Sequence, residues 1–250
     1  MAEAQQYHSE MIDLPSEGRI YSKESALSSG KIEIKYMTAK EEDILTSQNL
    51  IKKGVVIDRL LDSLILTKGV KSADLILGDK NAVMVAARVL AYGPEYTVDI
   101  NNPNTNEKIQ YNFNLADCPF KKLPEDIDSN DFEIELPVSK QTIKFKLLTG
   151  KEEAKIEEEL IRLTKLGSQV SPELTTRLRH TITAVDGDSS AVVINKFVEG
   201  MLSRDSLALR NKIQEISPDI ELKQEIEMGG EMVEVDIPLT IEFFWPSSIA

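Results

Sequence analysis

An alternation of apolar and polar residues occurs twice in the chain in closely similar form. Residues 31–45 read KIEIKYMTAKEEDIL and residues 142–156 read TIKFKLLTGKEEAKI, at a constant offset of 111 positions. Ile32, Ile34 and Tyr36 alternate with polar residues in the first copy. Alternation of this kind predicts a strand with one buried face. Each copy therefore predicts a half-buried strand.

Both copies continue with the signal of a helix start. Thr38 stands three residues before Glu41, and Thr149 stands three residues before Glu152. This is the spacing of a capping box, in which the threonine begins a helix and the glutamate reaches back to it. Similar flanking steps occur in the same order around both copies: Leu14-Pro15 and Leu136-Pro137 before them, Gly78-Asp79 and Gly187-Asp188 after them. We interpret the pattern as an internal duplication.

The remainder of the first half predicts further helices and a hairpin. Residues 1–10 are polar and predict a loose end. The helix that begins at Thr38 is expected to reach Lys52-Lys53-Gly54, and apolar residues at helical spacing predict a second helix from Val56 to Lys68-Gly69. A third helix is predicted from a cap at Asp79 to a stop at Gly93-Pro94. Two alternating stretches then predict a hairpin with a long turn, at 96–100 and 109–115.

The second half repeats this order with one addition. Its predicted elements are strands at 132–136 and 142–148, a charged helix at 151–166 closed by Gly167, a helix start at Ser171-Pro172-Glu173, and helices at 189–201 and 204–216. The helix at 204–216 has no counterpart in the first half. Gly229-Gly230 lies between two alternating stretches, and it predicts a tight hairpin because both turn positions can take positive φ.

The predicted fold class is α+β, with two pseudo-repeated modules. Each module has a strand, two or three helices and an antiparallel hairpin. Residues 117–131 carry two prolines and a charge run without periodicity, so they predict a linker or surface loop. The expected organisation is an N-terminal module at 1–116, the linker at 117–131, and a C-terminal module at 132–250 with one extra helix.

Charge and composition restrict the classes of partner that we expect for this protein. The chain has 42 acidic and 29 basic side chains, a formal net charge of -13. Such an acidic surface repels phosphate, so we expect neither nucleic acid nor an anionic membrane as a partner. No stretch predicts a membrane span or a secretion signal. The single cysteine, Cys118, excludes an intrachain disulfide and is typical of a reducing compartment.

Residues suited to catalysis or metal binding are sparse. The chain has two histidines: His8 lies in the polar N-terminal stretch and His180 in a predicted helix. Neither position suits the histidine of a catalytic triad. Asp186-Gly187-Asp188 resembles the start of a calcium loop but lacks the later ligands, and a turn before a helix is preferred. We therefore predict that the protein is not an enzyme and uses no cofactor. We also predict no catalytic, cofactor-binding or metal-binding residues.

The candidate functional residues are apolar and aromatic, and they lie near the two ends. Leu14, Pro15 and Tyr21 belong to the turn-forming stretch LPSEGRIYS. At the other end, IEFFWPSSIA holds three consecutive rings: Phe243, Phe244 and Trp245. These rings either complete the core or anchor another protein, because clustered aromatics carry much of the energy of interfaces. We name these six residues as candidate protein-interaction residues.

The same two ends carry a family resemblance. The motif Leu14-Pro15-Ser16-x-Gly18-x-x-Tyr21, the stretches KIEIKYMTAKEEDIL and GVVIDRLLDSLI, and the closing IPLTIEFFWP resemble the baseplate hub proteins of T-even-like contractile-tailed bacteriophages. That group includes the hub subunit and the hub assembly catalyst. The resemblance spans nearly the whole chain. Some relatives carry cysteine pairs in a zinc-ribbon-like pattern where this chain has INNPNTNEK, so such a metal site is not expected here.

The resemblance implies a role in hub and tail assembly through protein contacts, without bond chemistry. The expected partners are other phage hub or tail proteins. The expected locations are the host cytoplasm during assembly and the virion tail baseplate. Two alternatives stay open. One is a tail assembly chaperone that binds the tape-measure protein, and the other is an enzyme whose site is not visible in the sequence.

Overall fold

The structure is a computed structural model that describes residues 8–101, 108–165, 171–228 and 231–245. It has the predicted α+β class, with helices packed against small antiparallel sheets. The predicted turn of the first hairpin, the stop at Gly167, the turn at Gly229-Gly230 and most of the polar N-terminal stretch lie outside these residues.

The first half of the chain contains two strands, four helices and a hairpin. In chain order its elements are β1 (Ser9–Asp13), β2 (Lys31–Lys35), α1 (Ala39–Leu45), α2 (Gln48–Lys52), α3 (Val56–Leu64), α4 (Leu77–Tyr92), β3 (Glu95–Asn101), β4 (Lys108–Asn114) and the short strand β5 (Phe120–Lys121).

The second half has a three-stranded sheet, four helices and a hairpin. Its elements are β6 (Phe132–Glu135), β7 (Thr142–Phe145), α5 (Gly150–Lys165), α6 (Glu173–Thr181), β8 (Ile182–Val185), α7 (Ala191–Gly200), α8 (Ser203–Ile216), the short strand β9 (Asp219–Ile220), β10 (Lys223–Met228) and β11 (Glu231–Asp236). A 3₁₀ turn at Ile241–Phe244 ends the described chain.

All described strand pairs are antiparallel. β1 pairs with β2, β3 with β4, and β10 with β11, while β6, β7 and β8 form one sheet with β7 at its centre. β5 pairs with β9, although the two strands lie in different halves of the sequence. Local pairs therefore build most of the sheets, and one short pair joins the halves.

The helix predicted from Thr38 to Lys53 is interrupted. α1 ends at Leu45 and α2 begins at Gln48, with Ser47 in an extended conformation between them. The Thr46 hydroxyl donates to the Glu42 carbonyl oxygen at 3.1 Å. Serine and threonine side chains compete for backbone hydrogen bonds in this way, so the Thr46-Ser47 pair favours a break. The prediction of one continuous helix was wrong.

The second predicted helix ends before Lys68-Gly69. α3 stops at Leu64, and the next two residues bridge to β2: Ile65 pairs with Ile34, and the Leu66 amide donates to the Glu33 carbonyl oxygen at 2.9 Å. This pairing with β2 uses the backbone groups of Ile65 and Leu66, which a longer helix would need for its own hydrogen bonds. Sequence periodicity does not report such a non-local partner.

The strands β1 and β8 were not predicted from the sequence. β1 includes Ser9 and Glu10, which the sequence placed in a loose end; the pairing with β2 orders them. β8 follows α6 directly and pairs with β7. Its four residues, ITAV, are too few to show a period against the neighbouring helix.

The described residues form two apolar cores. The second core holds β6, β7 and helices of the second half, including Phe145, Ile182 and Leu209. The first core holds β2, α3 and α4 of the first half, but it also contains Ile226 and Phe243 from the C-terminal hairpin and the segment after it. The C-terminal segment therefore completes the core that the first half of the chain forms.

Several contacts join the two halves. The Gly150 amide donates to the Leu75 carbonyl oxygen at 3.0 Å, and Ile76 forms a bridge with Thr149. Within the predicted linker, β5 pairs with β9, and Leu123 is buried in the second core. Division into modules at 1–116 and 132–250 stays a prediction.

Candidate functional site

The geometry of the N-terminal loop depends on one buried carboxylate, Asp79, in the first turn of α4. Asp79 accepts hydrogen bonds from the Ser16 amide at 2.9 Å, from the Ser16 hydroxyl at 2.6 Å and from the Tyr21 hydroxyl at 2.6 Å. The Tyr21 hydroxyl in turn accepts from the Ile76 amide at 3.0 Å. Asp79 was predicted to cap α4, but α4 begins at Leu77 and the carboxylate binds the loop instead.

Burial dominates the protonation of this cluster. It raises the pKa of Asp79, even though the hydrogen bonds from Ser16 and Tyr21 oppose the shift. It also raises the pKa of Tyr21, and the nearby Asp79 charge adds to that effect. The tyrosine therefore stays a neutral donor, and the cluster acts as a fixed anchor for the loop.

Gly18 allows the loop to fold back on itself. It has φ of +77°, and a Cβ at this position would lie 2.5 Å from both the Gly30 nitrogen and the Leu27 carbonyl oxygen. Only glycine fits such a close backbone approach at positive φ. The turn-forming glycine of the motif is therefore required by the packing of the loop against residues 27–30.

Arg19 of the same loop holds the segment between the two halves. Its guanidinium donates to the carbonyl oxygens of Leu123, Pro124, Glu125 and Ile127, at 2.8 to 3.2 Å. The Glu17 carboxylate pairs with Lys122 at 2.9 Å. The LPSEGRIY loop thus fixes both α4 and the following segment.

The six sequence-derived candidate residues occupy two separate places. Leu14 and Pro15 are buried and Tyr21 is half-buried in the anchored loop. Phe243 and Phe244 are fully buried in the first core, and Trp245 is half-buried against it. The structure therefore does not bring the six side chains together on one exposed surface.

A buried cation fixes the aromatic segment. Arg88 of α4 donates from Nε to the Phe243 carbonyl oxygen at 3.1 Å, and its guanidinium lies over the rings of Tyr92 and Tyr96. Burial lowers the pKa of Arg88 while the two tyrosines oppose that shift. Ring faces and carbonyl oxygens stabilise a buried guanidinium without a carboxylate. Arg88 thereby attaches the end of the chain to α4.

The two similar strand-to-helix junctions, at 31–45 and 142–156, have the same side-chain hydrogen bonds. The Glu41 carboxylate accepts from the Thr38 amide at 3.0 Å, from the Thr38 hydroxyl at 2.6 Å and from Lys35 at 2.7 Å. In the second copy Glu152 accepts from the Thr149 amide, the Thr149 hydroxyl and Lys146. Both capping glutamates therefore have structural partners and are not free to act as acid or base.

The same partners control the charge of both glutamates. Burial alone would raise each pKa, but the hydrogen bonds from lysine and threonine outweigh it and lower the pKa of Glu41 and of Glu152 to about 2. Both carboxylates stay ionised across the physiological range.

His180 and its neighbours join two helices of the second half. His180 contacts Glu159 at 3.2 Å, and Arg179 pairs with the same carboxylate at 2.7 Å, which joins α6 to α5. No group of three or more His, Cys, Asp or Glu residues that could hold a metal occurs within the described ranges. Among the helices of those ranges, none is long and apolar enough to cross a bilayer.

The best-formed concave surface is a cleft between the halves, which has two compartments. The first, of about 230 Å³, lies between the start of α4, the segment after β7, α6, α8 and residues 217–219. Its apolar lining includes Leu147, Leu174 and Ile213, and its charged lining includes Arg177 and Arg210. A largely apolar concavity with a few polar groups is the usual form of a binding site.

The second compartment adjoins the first across Leu77 and the Glu153–Arg177 ion pair, which line both. It has a volume of about 340 Å³ and lies between α3, α4, α5 and α6. Its further charged lining includes Glu157 and Glu173. Sequence reasoning did not identify this cleft, because its residues come from distant parts of the chain and carry no local motif.

The comparisons with known proteins give one family match. Residues 18–136 match the family model described as T4 bacteriophage base plate protein. The matched range covers the second half of the anchored loop, from Gly18 on, the first copy of the junction and the predicted linker. No curated protein and no solved structure matches the chain. The family match supports a T4-like phage baseplate protein, and it confirms the resemblance at that level.

Proposed function

We propose that this protein acts in the central hub of the phage tail baseplate, where it assists hub and tail assembly through contacts with other proteins. The observation that carries the proposal is the match of residues 18–136 to the T4 base plate family. The hub role is the finer inference, and it draws on the resemblance of both chain ends to hub proteins.

The proposed mode of action is non-enzymatic. The candidate acid–base residues have structural partners: Glu41 and Glu152 belong to capping boxes, and Glu159 pairs with Arg179 and His180. The cleft offers apolar surface with charges at its edges, which suits a protein segment. These features support binding and assembly as the activity, in the host cytoplasm and in the virion baseplate.

The six candidate residues receive different proposed roles. Trp245 is the one proposed to reach a partner, because it is half-buried at the end of the described chain. The other five support the two segments in which they lie, the N-terminal loop and the stretch just before Trp245: Leu14, Pro15, Tyr21, Phe243 and Phe244. Clustered aromatics at such an edge can serve both a core and an interface.

A second candidate function is a tail assembly chaperone for the tape-measure protein. The observation in its favour is the acidic lining of the second compartment, where Asp58, Glu157 and Glu173 accompany Glu153. Such a lining attracts basic segments. The first compartment also carries exposed arginine, and this mixed charge favours the hub proposal over the chaperone.

Affinity isolation from infected cells tests the proposal. The tagged full chain is recovered before tails are complete, and the bound proteins are identified and counted. We expect other hub proteins in fixed ratio to the chain. Recovery of the tape-measure protein alone would replace the hub proposal with the chaperone. A chain that is recovered without any phage protein would contradict both.

A further inference from the structure

Two large apolar side chains stand exposed at the cleft between the halves. Leu77, at the start of α4, is 62% exposed and separates the two compartments, and Leu174 of α6 is 45% exposed beside the first. The other large exposed apolar residues within the described ranges line neither compartment. Exposure of these leucines to water is unfavourable. An apolar group bound in the cleft would cover them and so gain free energy from the burial of apolar surface.

The charges of the cleft differ between its two ends. In the first compartment, Lys146 pairs with Glu152 and Arg177 pairs with Glu153, so both cations are neutralised. Arg210 is exposed there without an ion pair or hydrogen bond to any described residue. The Asp219 carboxylate also lines this compartment, but it already accepts hydrogen bonds from the Asn81 side chain and the Ile220 amide. Among the charged side chains of the first compartment, Arg210 is therefore the one without a partner in the part of the chain that the structure describes, in a chain of net charge -13.

The second compartment has the opposite sign. Asp58 pairs with Lys80, while Glu157 and Glu173 are exposed and make no ion pair with the part of the chain that the structure describes. The cleft is thus apolar at its centre, cationic at the Arg210 end and anionic at the Glu157 and Glu173 end. Complementary charges at two ends orient a ligand as well as attract it.

We propose that this cleft binds a short segment of a partner protein with an apolar centre, an acidic residue for the Arg210 end and a basic residue for the Glu157 and Glu173 end. The apolar side chains cover Leu77 and Leu174. The two volumes are at or below the lower end of the range for ligand sites, about 300–1,000 Å³, so the cleft takes a few side chains rather than a whole helix. The inference rests on the proposed function, because it specifies which surface makes one of the contacts.

Synthetic peptides test this directly. The isotopically labelled full chain is titrated with peptides of about twelve residues that carry blocks of glutamate, leucine and lysine, in both block orders, and with versions that have serine in place of leucine. We expect one block order to bind more tightly and to shift the amide resonances of Leu77, Leu174 and Arg210. The serine versions are expected to bind at least about tenfold more weakly, a difference of about 1.4 kcal/mol.

Matched variants identify the groups responsible. Arg210→Glu is expected to weaken binding at least about tenfold, whereas Arg204→Glu, an exposed arginine on the same helix outside the cleft lining, leaves it unchanged. Leu77→Asp removes the central apolar contact, and Val192→Asp is its exposed control. Circular dichroism verifies that each variant is folded.

Three results would overturn the proposal: no resonance shift at the cleft at millimolar peptide, equal binding of leucine and serine peptides, or unchanged affinity in Arg210→Glu. These results differ from a failure of the hub proposal. If the Leu77→Asp chain still recovers hub proteins from infected cells in the normal ratio, the cleft inference fails and the hub proposal stands. If the peptides bind as expected but no hub protein is recovered, the hub proposal fails instead.

Discussion

The lysine–glutamate pairs of the repeated junction have the same geometry but different environments. In the first copy the Lys35 side chain is 9% exposed and that of Glu41 is 0% exposed; in the second, Lys146 is 31% exposed and Glu152 is 20% exposed. The loss of one partner leaves an uncompensated charge, which is costly in a buried site and mild near water. The two copies are therefore a natural comparison of burial at constant geometry.

We predict that Glu41→Gln destabilises the protein more than Glu152→Gln. The first change removes a fully buried carboxylate that accepts from the Lys35 ammonium, and it should cost about 3 to 5 kcal/mol. The second leaves a cation that water can reach and should cost about 1 kcal/mol. Urea unfolding of both variants measures the difference, and equal losses would show that burial does not govern these pairs.

The lowered pKa values of the same glutamates predict a pH dependence. Each folded-state pKa, about 2, lies below the ordinary value of 4.5, so the unfolded chain binds more protons between these limits. Stability from both groups is fully present above about 4.5 and is lost as the pH falls towards 2. Urea unfolding at several pH values should give a shallower slope in this window for Glu41→Gln. An unchanged slope would contradict the assignment.

At the scale of single residues, the sequence predicted what depends on near neighbours. The spacing of Thr38 and Glu41 was sufficient because a capping box closes within one helical turn. The role of Asp79 was missed because its partners, Ser16 and Tyr21, lie far back in the chain. From the sequence alone, an aspartate at the start of a helix is interpreted as a cap, and this interpretation was applied to Asp79.

Among the elements, α4 packs closely against the second half of the chain. Gly78 faces residues 218–219, and a Cβ at Gly78 would lie 1.9 Å from the Pro218 carbonyl oxygen. Asn81, one turn further on, donates to Asp219 at 3.1 Å. The glycine thus has a packing role in a helix where alanine would otherwise be preferred.

We predict that Gly78→Ala destabilises the protein by several kcal/mol, although alanine favours helix by about 1 kcal/mol. The new methyl group would collide with backbone, which moves only if β9 moves. Gly200→Ala, in α7, is the control, because a Cβ there has no neighbour within 4 Å. Thermal unfolding should show a large loss for the first and none for the second. A stabilised Gly78→Ala chain would contradict this packing.

Long elements were predicted better than short ones. α5, α7 and α8 lie within two residues of their expected bounds, because several helical turns define a period. The prediction of the hairpin strands was confirmed for the described residues as well. β1 and β8 were missed, since each has at most five residues and is ordered by a partner strand rather than by its own pattern.

For the whole molecule, the C-terminal segment completes the first core. Phe243 and Phe244 are fully buried beside residues of β2 and α3, and Arg88 binds the carbonyl oxygen between them. The family match ends at residue 136, before this segment. The N-terminal half therefore depends for its stability on residues outside the matched range.

We predict that Phe244→Ala costs about 3 to 5 kcal/mol and lowers the protection of β2 amides as strongly as that of β10 amides. The reason is that both strands share one core. Hydrogen exchange of the full chain measures both strands together. Trp245→Ala, half-buried, is the neighbouring control and should cost less. Unchanged protection of β2 would show that the segment is not part of the first core.

At this scale the sequence predicted the class of fold but not the connection between its parts. The order of most helices and strands was visible because local signals define these elements. The packing of β10 and β11 against the first core could not be predicted. Their alternation shows that one face is buried, but it does not show which part of the protein covers that face. The linker at 117–131 was selected for its prolines and charges, and its fixation by Arg19 depends on a loop about a hundred residues earlier. The duplication stays a proposal that the two matching junctions support.

The most direct test of the hub proposal is quantitative mass spectrometry of this protein in purified mature virions and in partly assembled hub complexes from infected cells. We expect the protein in the hub intermediates. A fixed copy number in virions as well would make it a structural hub subunit, and absence from virions would make it an assembly factor. Absence from both fractions would contradict the proposed function.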